Sequence, residues 1–336
     1  MGGYILLFRS SEIDREENRM TRHLIVDKEN ANEIIEKLTE NRSIDRRYRI
    51  FNDNCKVYIP VIPNVPIEIA GSEEKYISPH ISGERMRPVS ITGSYDRIGE
   101  IAVIKIRDTD RARKLADSLI LSGSGIRSVW HDTGISGNYR VRSLKHLAGD
   151  QITESLYTEN GVRMLVDIKK VYFSPRLATE RLRILSRIKD GDVIIDMFAG
   201  IGPFSLLIAK NRNVEMYSID INPEAISYLL KNIDLNRLKG KIMPVCGDSG
   251  IVIKELPPAD HIIMNLPHGA LEFLEPAKQS LRPGGSIEFY FIGNPEDIEA
   301  TMERVRDAGF EVTDKRIVHG YSPTESMIYL SLKVLD

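Results

Sequence analysis

Cysteine is nearly absent from this 336-residue chain: only Cys55 and Cys246 occur, far apart and in segments of different kind. Two isolated thiols make neither a disulfide framework nor a zinc spacing, and the simplest compartment for them is a reducing cytosol. Long apolar runs are missing too. The opening "MGGYILLFRS" gives way at once to acidic residues, carries no cleavage pattern and is too short for a signal or a span, so residues 1–20 read as a disordered leader. No His/Asp/Glu group has ligand spacing, and no metal is expected. Charge of one sign is lacking as well: 46 Lys and Arg against 48 Asp and Glu leave −2, so bulk charge does not advertise nucleic acid.

What is present is an ordinary globular composition, 42% hydrophobic and 28% charged, which excludes disordered and fibrous classes. The length implies two or three domains. Arginines do cluster locally, in "NRSIDRRYR", "NYRVRSLK" and "SPRLATERLRILSR". Each such run alone reads as a solvated face; three of them raise phosphate contact as a use.

Organisation follows from periodicity. Residues 28–40 place Ala31, Ile34, Ile35 and Leu38 at helical spacing, and "KVYIPVI" follows as a strand. A polar stretch, "GSEEKYISPHISGERMRP", reads as a linker. "EIAVIKI" is a strand, "DRARKLADSLILSG" a helix, and "YTENGVRMLVDI" a hairpin turning at Asn160-Gly161. From about residue 166 strands and helices alternate: "DVIIDM", "EMYSIDI", "KIMPVC", "HIIMNL" and "SIEFYFI" predict a parallel doubly wound sheet. The last strands, "KRIVHGY" and "MIYLSLKV", are joined only by "SPTES" and must pair antiparallel. The fold class is thus α/β, a Rossmann-like C-terminal sheet with an antiparallel terminal hairpin, preceded by two smaller α+β domains. The expected boundaries are 1–72, 73–165 and 166–336.

The chemistry lies at the strand ends. "DMFAGIGPFS" couples Asp196 to a turn in which Gly200 and Gly202 let backbone approach a ligand at a helix N-terminus. Ser205 stands where a dinucleotide fingerprint wants its third glycine, and no GK[ST] follows, so dinucleotides and nucleoside triphosphates are disfavoured. Asp220 ends the second strand, where an acid can accept both ribose hydroxyls. Asp248, in "GDS", can take an adenine amine, and Asn265 closes the fourth strand in "MNLPH". Acid, glycine turn, acid, acid and carboxamide on successive strand ends point to a nucleoside-bearing cofactor.

In this order of motifs residues 166–336 resemble the class I methyltransferases that bind S-adenosylmethionine. The resemblance implies that the glycine turn passes the methionine portion, Asp220 holds the ribose, and Asp248 with Ser249 borders the adenine. "NYRVRSLKHLAG", "VYFSPRLATER", "DMFAGIGPFS" and "NLPH" together resemble the archaeal and eukaryotic tRNA (guanine-37-N1)-methyltransferases, weakly from residue 20 onward. That family implies a small N-terminal domain on the tRNA outer corner, a middle domain, and a methyltransferase domain working on the anticodon loop, as a cytoplasmic monomer.

A ring nitrogen bearing a proton needs a base and a donor near the oxygen that gathers charge. By the resemblance Glu180 is that base, Arg140 stabilises guanine O6, and Asn265 orients the base or the cofactor. Tyr172 and Arg176 border the pocket, Arg181 helps hold the cofactor, and Phe198, Ile221 and Pro267 complete the expected cofactor set. On spacing alone, Arg176 and Glu180 read first as a surface ion pair on a helix capped by Ser174 with Pro175 at its first position. Departures from amine methyltransferases are the missing second proline and His268 in place of an aromatic. Rivals are methylation of the tricyclic wyosine precursor or aminocarboxypropyl transfer at the same position, ribosomal RNA methylation, and a non-catalytic RNA-binding protein.

Overall fold

A computed structural model describes residues 21–335 apart from 42, 46–47, 54, 63–71, 78–92, 123, 138, 321 and 323. The expected leader, most of the polar linker, and Arg42, Arg46 and Arg47 of the first arginine run lie outside the described residues. The chain divides into two compact units, one of residues up to 91 with 121–124, the other of 92–120 with 125 onward.

In the first unit, β1 (Thr21–Asp27) is followed by α1 (Ala31–Glu40), β2 (Phe51–Asn52), β3 (Lys56–Pro60) and β4 (Glu73–Ile77), with the strands in the order β2-β3-β1-β4. Ala31, Ile34 and Leu38, one helical face, pack on Leu24, Val26 and Ile59, one strand face, as a single core. β4 follows residue 72, the expected boundary, and completes this sheet against β1.

The second unit opens with β5 (Tyr95–Ile98), β6 (Ile101–Ile104), α2 (Thr109–Leu121), β7 (Ser128–Ser136) and β8 (Val141–Gly149), a four-stranded sheet in sequence order. β6 and β7 run parallel because α2 crosses between them. β9 (Glu154–Glu159) and β10 (Val162–Asp167) form the expected hairpin, and both turn residues, Asn160 at φ 49° and Gly161 at φ 77°, take the left-handed conformation its tight turn demands.

A short 3-10 turn (Pro175–Leu177) leads into α3 (Ala178–Leu185), then β11 (Val193–Asp196), α4 (Pro203–Asn211), β12 (Glu215–Asp220), α5 (Pro223–Asp234), β13 (Lys241–Cys246), α6 (Ser249–Val252), β14 (Ala259–Asn265), α7 (Leu274–Gln279), β15 (Leu281–Gly293), α8 (Pro295–Asp307), β16 (Phe310–Gly320) and β17 (Ser326–Val334). The seven strands lie in the order β13-β12-β11-β14-β15-β17-β16, parallel except that β17 is antiparallel to both neighbours. Alternate residues serve opposite faces. Ile194, Met216, Tyr290 and Tyr329 join one core, and Ile195, Ile262, Phe289 and Leu330 the other. The first core also contains Ile98, Ile101, Trp130 and Met164, so the β5–β8 sheet and the β9–β10 hairpin are packed continuously with the large sheet. That shared core fixes residues of the middle segment against the strand ends.

Candidate active site

The carboxyl ends of β11 to β14 meet at a cavity of about 310 Å³, of a size suited to a small organic ligand. The two turn glycines serve different ends. Gly200, at φ +55°, has only the Tyr172 carbonyl oxygen, at 3.8 Å, near the place of a Cβ, so its bare side is open to a ligand. Gly202, at φ +85°, sits so close to α5 that a Cβ would lie 2.3 Å from Leu229 Cδ1. It is not itself in the lining, though Ile201 and Pro203 on either side are, and its missing side chain serves packing against α5.

Asp220 lines the cavity, and its carboxylate accepts from the Gly200 N–H at 2.7 Å and the Asn222 N–H at 2.9 Å. Burial raises its pKa, and these backbone donors counter the rise. One bond per oxygen leaves further lone pairs for two hydroxyl donors. Asp248 is exposed and caps α6 by accepting from the Gly250 N–H at 2.8 Å. Ser249 is buried, with its hydroxyl already donated to the Met197 carbonyl. Phe198 meets Phe273 edge to face at 5.0 Å, and Ile221 is half exposed; together these line the cavity with flat apolar surface. The donor and acceptor set fits an adenosine-bearing cofactor.

Asp196 does not line the cavity. It is buried, accepting from Ser205 Oγ at 3.1 Å and from the Phe198 N–H, while its Oδ1 has no partner. It therefore braces the glycine turn from beneath, which corrects its expected contact with the cofactor. Burial pushes its pKa up from 3.8 to about 7. An acid whose folded pKa is raised binds more protons folded than unfolded, so its contribution to stability falls as pH climbs from about 4 to about 7. Asp196→Asn is accordingly expected to gain stability relative to the parent across that window and to hold the gain above it. Urea unfolding of both proteins at a series of pH values, without cofactor, checks this; a pH-independent difference would refute it.

Asn265 ends β14, lines the cavity and carries a buried Oδ1 that no protein donor satisfies. Such an acceptor calls for a ligand N–H. Pro267, also in the lining, has its carbonyl taken by the Ile292 N–H at 3.0 Å, which pins the loop to β15. His268 is exposed and outside the lining; partial burial of its ring and then the charge of Arg140 lower its pKa.

Arg140 itself lines the cavity from the turn before β8, at φ +54°. A non-glycine residue there carries about 1 kcal/mol or more of backbone strain. Behind it, Asp96 is nearly inaccessible and accepts from Arg176 Nε at 2.7 Å and Arg142 Nη2 at 3.1 Å. Burial would raise its pKa, but Arg142 and then Arg176 outweigh that and hold it below the usual value. Arg142 also donates to the Phe173 carbonyl at 2.7 Å and lies 5.3 Å from the Tyr172 ring centre. The entry to α3, with Tyr172 and Arg176 in the lining, is thereby locked to β5 and β8. Arg181, buried and in the lining, donates to Glu159 at 2.6 Å and the Ser174 carbonyl at 2.8 Å, flanked by Phe173 and Phe204.

Glu180 departs most from expectation. It is 5% exposed and absent from the cavity lining. Both oxygens accept from Arg183 Nε at 3.0 Å, and Oε1 also accepts from the Tyr290 hydroxyl at 2.9 Å. Neither the surface pair with Arg176 nor an open base forms: Arg176 turns to Asp96, and Glu180 is held in a clamp on the buried face of α3. The second and third arginine runs are likewise mostly engaged internally, since Arg142, Arg176, Arg181, Arg183 and Arg187 all make ion pairs within the unit. Lys105, Phe273, His319 and Met327 line the cavity without having been foreseen. No local motif marks them, because tertiary folding alone brings their elements together. Among the described residues no His, Cys, Asp and Glu group could hold a metal ion, and no helix is long and apolar enough to cross a membrane.

Comparison with known proteins bears on this geometry. Residues 155–318 match the TRM5/TYW2 methyltransferase domain, residues 76–153 the TYW2 N-terminal domain, and residues 24–69 the tRNA methyltransferase 5 N-terminal domain. The tRNA (guanine(37)-N(1))-methyltransferase Trm5b of Pyrococcus abyssi is 37% identical over 89% of this chain and 94% of its own length. A solved complex of aTrm5 with tRNALeu superposes with a TM-score of 0.66 at 32% identity, covering 93% of this chain and 99% of that one. Trm5 of Methanocaldococcus jannaschii in complex with adenosine gives a TM-score of 0.62 at 32% identity, covering 94% and 99%.

Proposed function

Because this chain belongs to the TRM5/TYW2 methyltransferase family, we infer that it transfers the methyl group of S-adenosylmethionine to N1 of guanine 37 in tRNA. The observation that carries this reading is one cavity in which nucleoside-binding groups, Asp220, Gly200 and Asp248, share a lining with Arg140 and the unsatisfied Asn265 acceptor. The P. abyssi relative, 37% identical and matched over 94% of its length, is named for guanine methylation, which favours that reaction over the wyosine one, for which a relative 33% identical over 70% of this chain is named.

When bound, the cofactor supplies an electrophilic methyl carbon. Asp220 accepts from the ribose, Phe198 and Ile221 cover the adenine beside Asp248, and the open side of Gly200 admits the methionine portion. Asn265 takes an N–H of the guanine edge and sets its plane. Arg140 donates to O6, where negative charge gathers as the N1 proton passes to water, leaving the ring nitrogen's electron pair free to attack the methyl carbon. That charge stabilisation lowers the pKa of N1 and makes the ring nitrogen nucleophilic near neutrality. Glu180 serves as the anchor that holds α3, Arg181 and the cavity's apolar floor in place. Base access favours a single-stranded loop, from which extruding a purine takes less energy than from a duplex.

The first unit is assigned to the outer corner of the tRNA and the second to the anticodon loop, with a monomer as the working form. A reducing compartment such as the cytoplasm fits the exposed free thiols of Cys55 and Cys246. Incubation with labelled cofactor and transcripts bearing G or A at position 37, followed by nucleoside analysis, is expected to yield 1-methylguanosine from the G transcript alone. Equal label in both transcripts would refute the target. The same assay with a wyosine-precursor tRNA tests the rival: methylated product there, and none on the G transcript, would move the assignment to the wyosine reaction.

A further inference from the structure

Lys105 follows β6, and its side chain, 32% exposed, lines the cavity with Tyr139, Arg140 and Arg176. Asp132 on β7 lies 3.9 Å from its Nζ. Burial and the charges of Arg142 and Arg176 work against its ammonium, while Asp96 and Asp132 support it. Lys105, Arg142 and Arg176 thus gather around two carboxylates, Asp96 and Asp132, and Lys105, Arg176 and Arg140 line the cavity while neither carboxylate does. A cationic, half-buried stretch of lining favours an anionic group of a ligand.

Two ligand anions could come here, a carboxylate of the cofactor or a phosphodiester of the substrate. The cofactor groups line up along the glycine turn and the strand ends, where the side chains are acidic or apolar: Asp220, Asp248, Phe198, Ile221. Lys105, Tyr139 and Arg140 come from the β5–β8 segment. Its cationic part of the lining suits the polynucleotide, whose one permanent anion is its backbone.

Resting on the guanine-37 reading, we propose that Lys105 contacts the substrate directly, its ammonium pairing with a phosphodiester next to the target nucleotide. Lysine suits such a contact because it binds phosphate as a point charge from a flexible stem and does not compete with Arg140 for the planar base edge. The contact seats the extruded nucleotide while Arg140 attends to O6.

Steady-state methylation by the full chain tests this, with Lys105→Met and Lys105→Arg beside the parent. Lys105→Met is expected to raise KM for tRNA roughly tenfold, to leave kcat and the cofactor Kd near the parental values, and to make the plot of log kcat/KM against log salt shallower by about 0.7. Lys105→Arg, which keeps the charge, is expected to restore most of the affinity and the slope. An uncharged methylphosphonate flanking nucleotide 37 should weaken the parent as much as Lys105→Met does and weaken that variant no further. An unchanged salt slope and KM overturn the proposal. So does a loss confined to cofactor affinity, which would assign the anion to the methionine carboxylate. Parental label on guanine 37 in the same assay reports separately on the function: a parent that leaves guanine 37 unmethylated overturns that reading, whereas a methylating parent with an unaffected Lys105→Met overturns only this one.

Discussion

Arg140→Ala is expected to lower kcat by about 10²- to 10³-fold, the usual loss when one donor to a developing oxyanion is removed. Affinity for tRNA should change far less, because a single donor to a neutral guanine oxygen adds little to a complex held by many phosphate contacts. Single-turnover rates and filter-binding Kd values measured together check this. A defect confined to Kd would make Arg140 a backbone contact. The pH dependence gives a second reading. If Arg140 lowers the pKa of guanine N1 by stabilising the charge on O6, its loss moves the rising limb of the rate profile to higher pH. Arg140→Gly separates strain from chemistry. Glycine relieves the left-handed backbone at φ +54°, so this variant should unfold later than Arg140→Ala yet be equally slow.

Glu180→Gln carries the largest expected loss of stability, about 3 kcal/mol, the range for leaving one partner of a buried ion pair without the other. The carboxylate is 5% exposed and bonded by both oxygens to Arg183. Glutamine can still accept from Tyr290, but it cannot neutralise the guanidinium, which lies 3.7 Å from the Tyr329 ring centre. Activity should fall through a displaced α3. The deficit is therefore expected to be the same across about pH 6 to 9, with cofactor affinity reduced alongside it. Denaturant unfolding and a pH–rate profile of the variant check both parts. A deficit that shrinks as pH rises, in a protein of parental stability, would restore Glu180 as the proton acceptor.

These two residues mark where the sequence could and could not be read. The second half of the chain was legible because parallel strands covered on both faces are written as short apolar runs, and β11 to β15 each stand out as one. The terminal hairpin followed from a link too short for a crossover. Asp220, Asp248 and Asn265 followed from a topological rule: in doubly wound sheets ligand-facing groups lie just past the strand ends. The equivalence of the two glycines did not hold, because the space around a Cβ depends on a neighbour, Leu229, that the local motif does not contain.

The surroundings of Glu180 were illegible for a related reason. Its spacing from Arg176 is a local fact, but its hydrogen bond to Tyr290 spans 110 residues, and Arg176 finds Asp96 80 residues away. Burial, which turns an exposed carboxylate into a clamped one, is a property of the packed unit. Lys105 and Phe273 reach the cavity by the same route.

By itself, then, the sequence determined the order of strands and helices, the kind of cofactor, and the strand-end groups that line the cavity, since all of these rest on periodicity and on neighbours a few residues apart. Only the tertiary structure decided which charges face the ligand and which face one another. That choice belongs to electrostatics in a low-dielectric interior, where each arginine and carboxylate pairs with whatever the fold brings within a few ångströms.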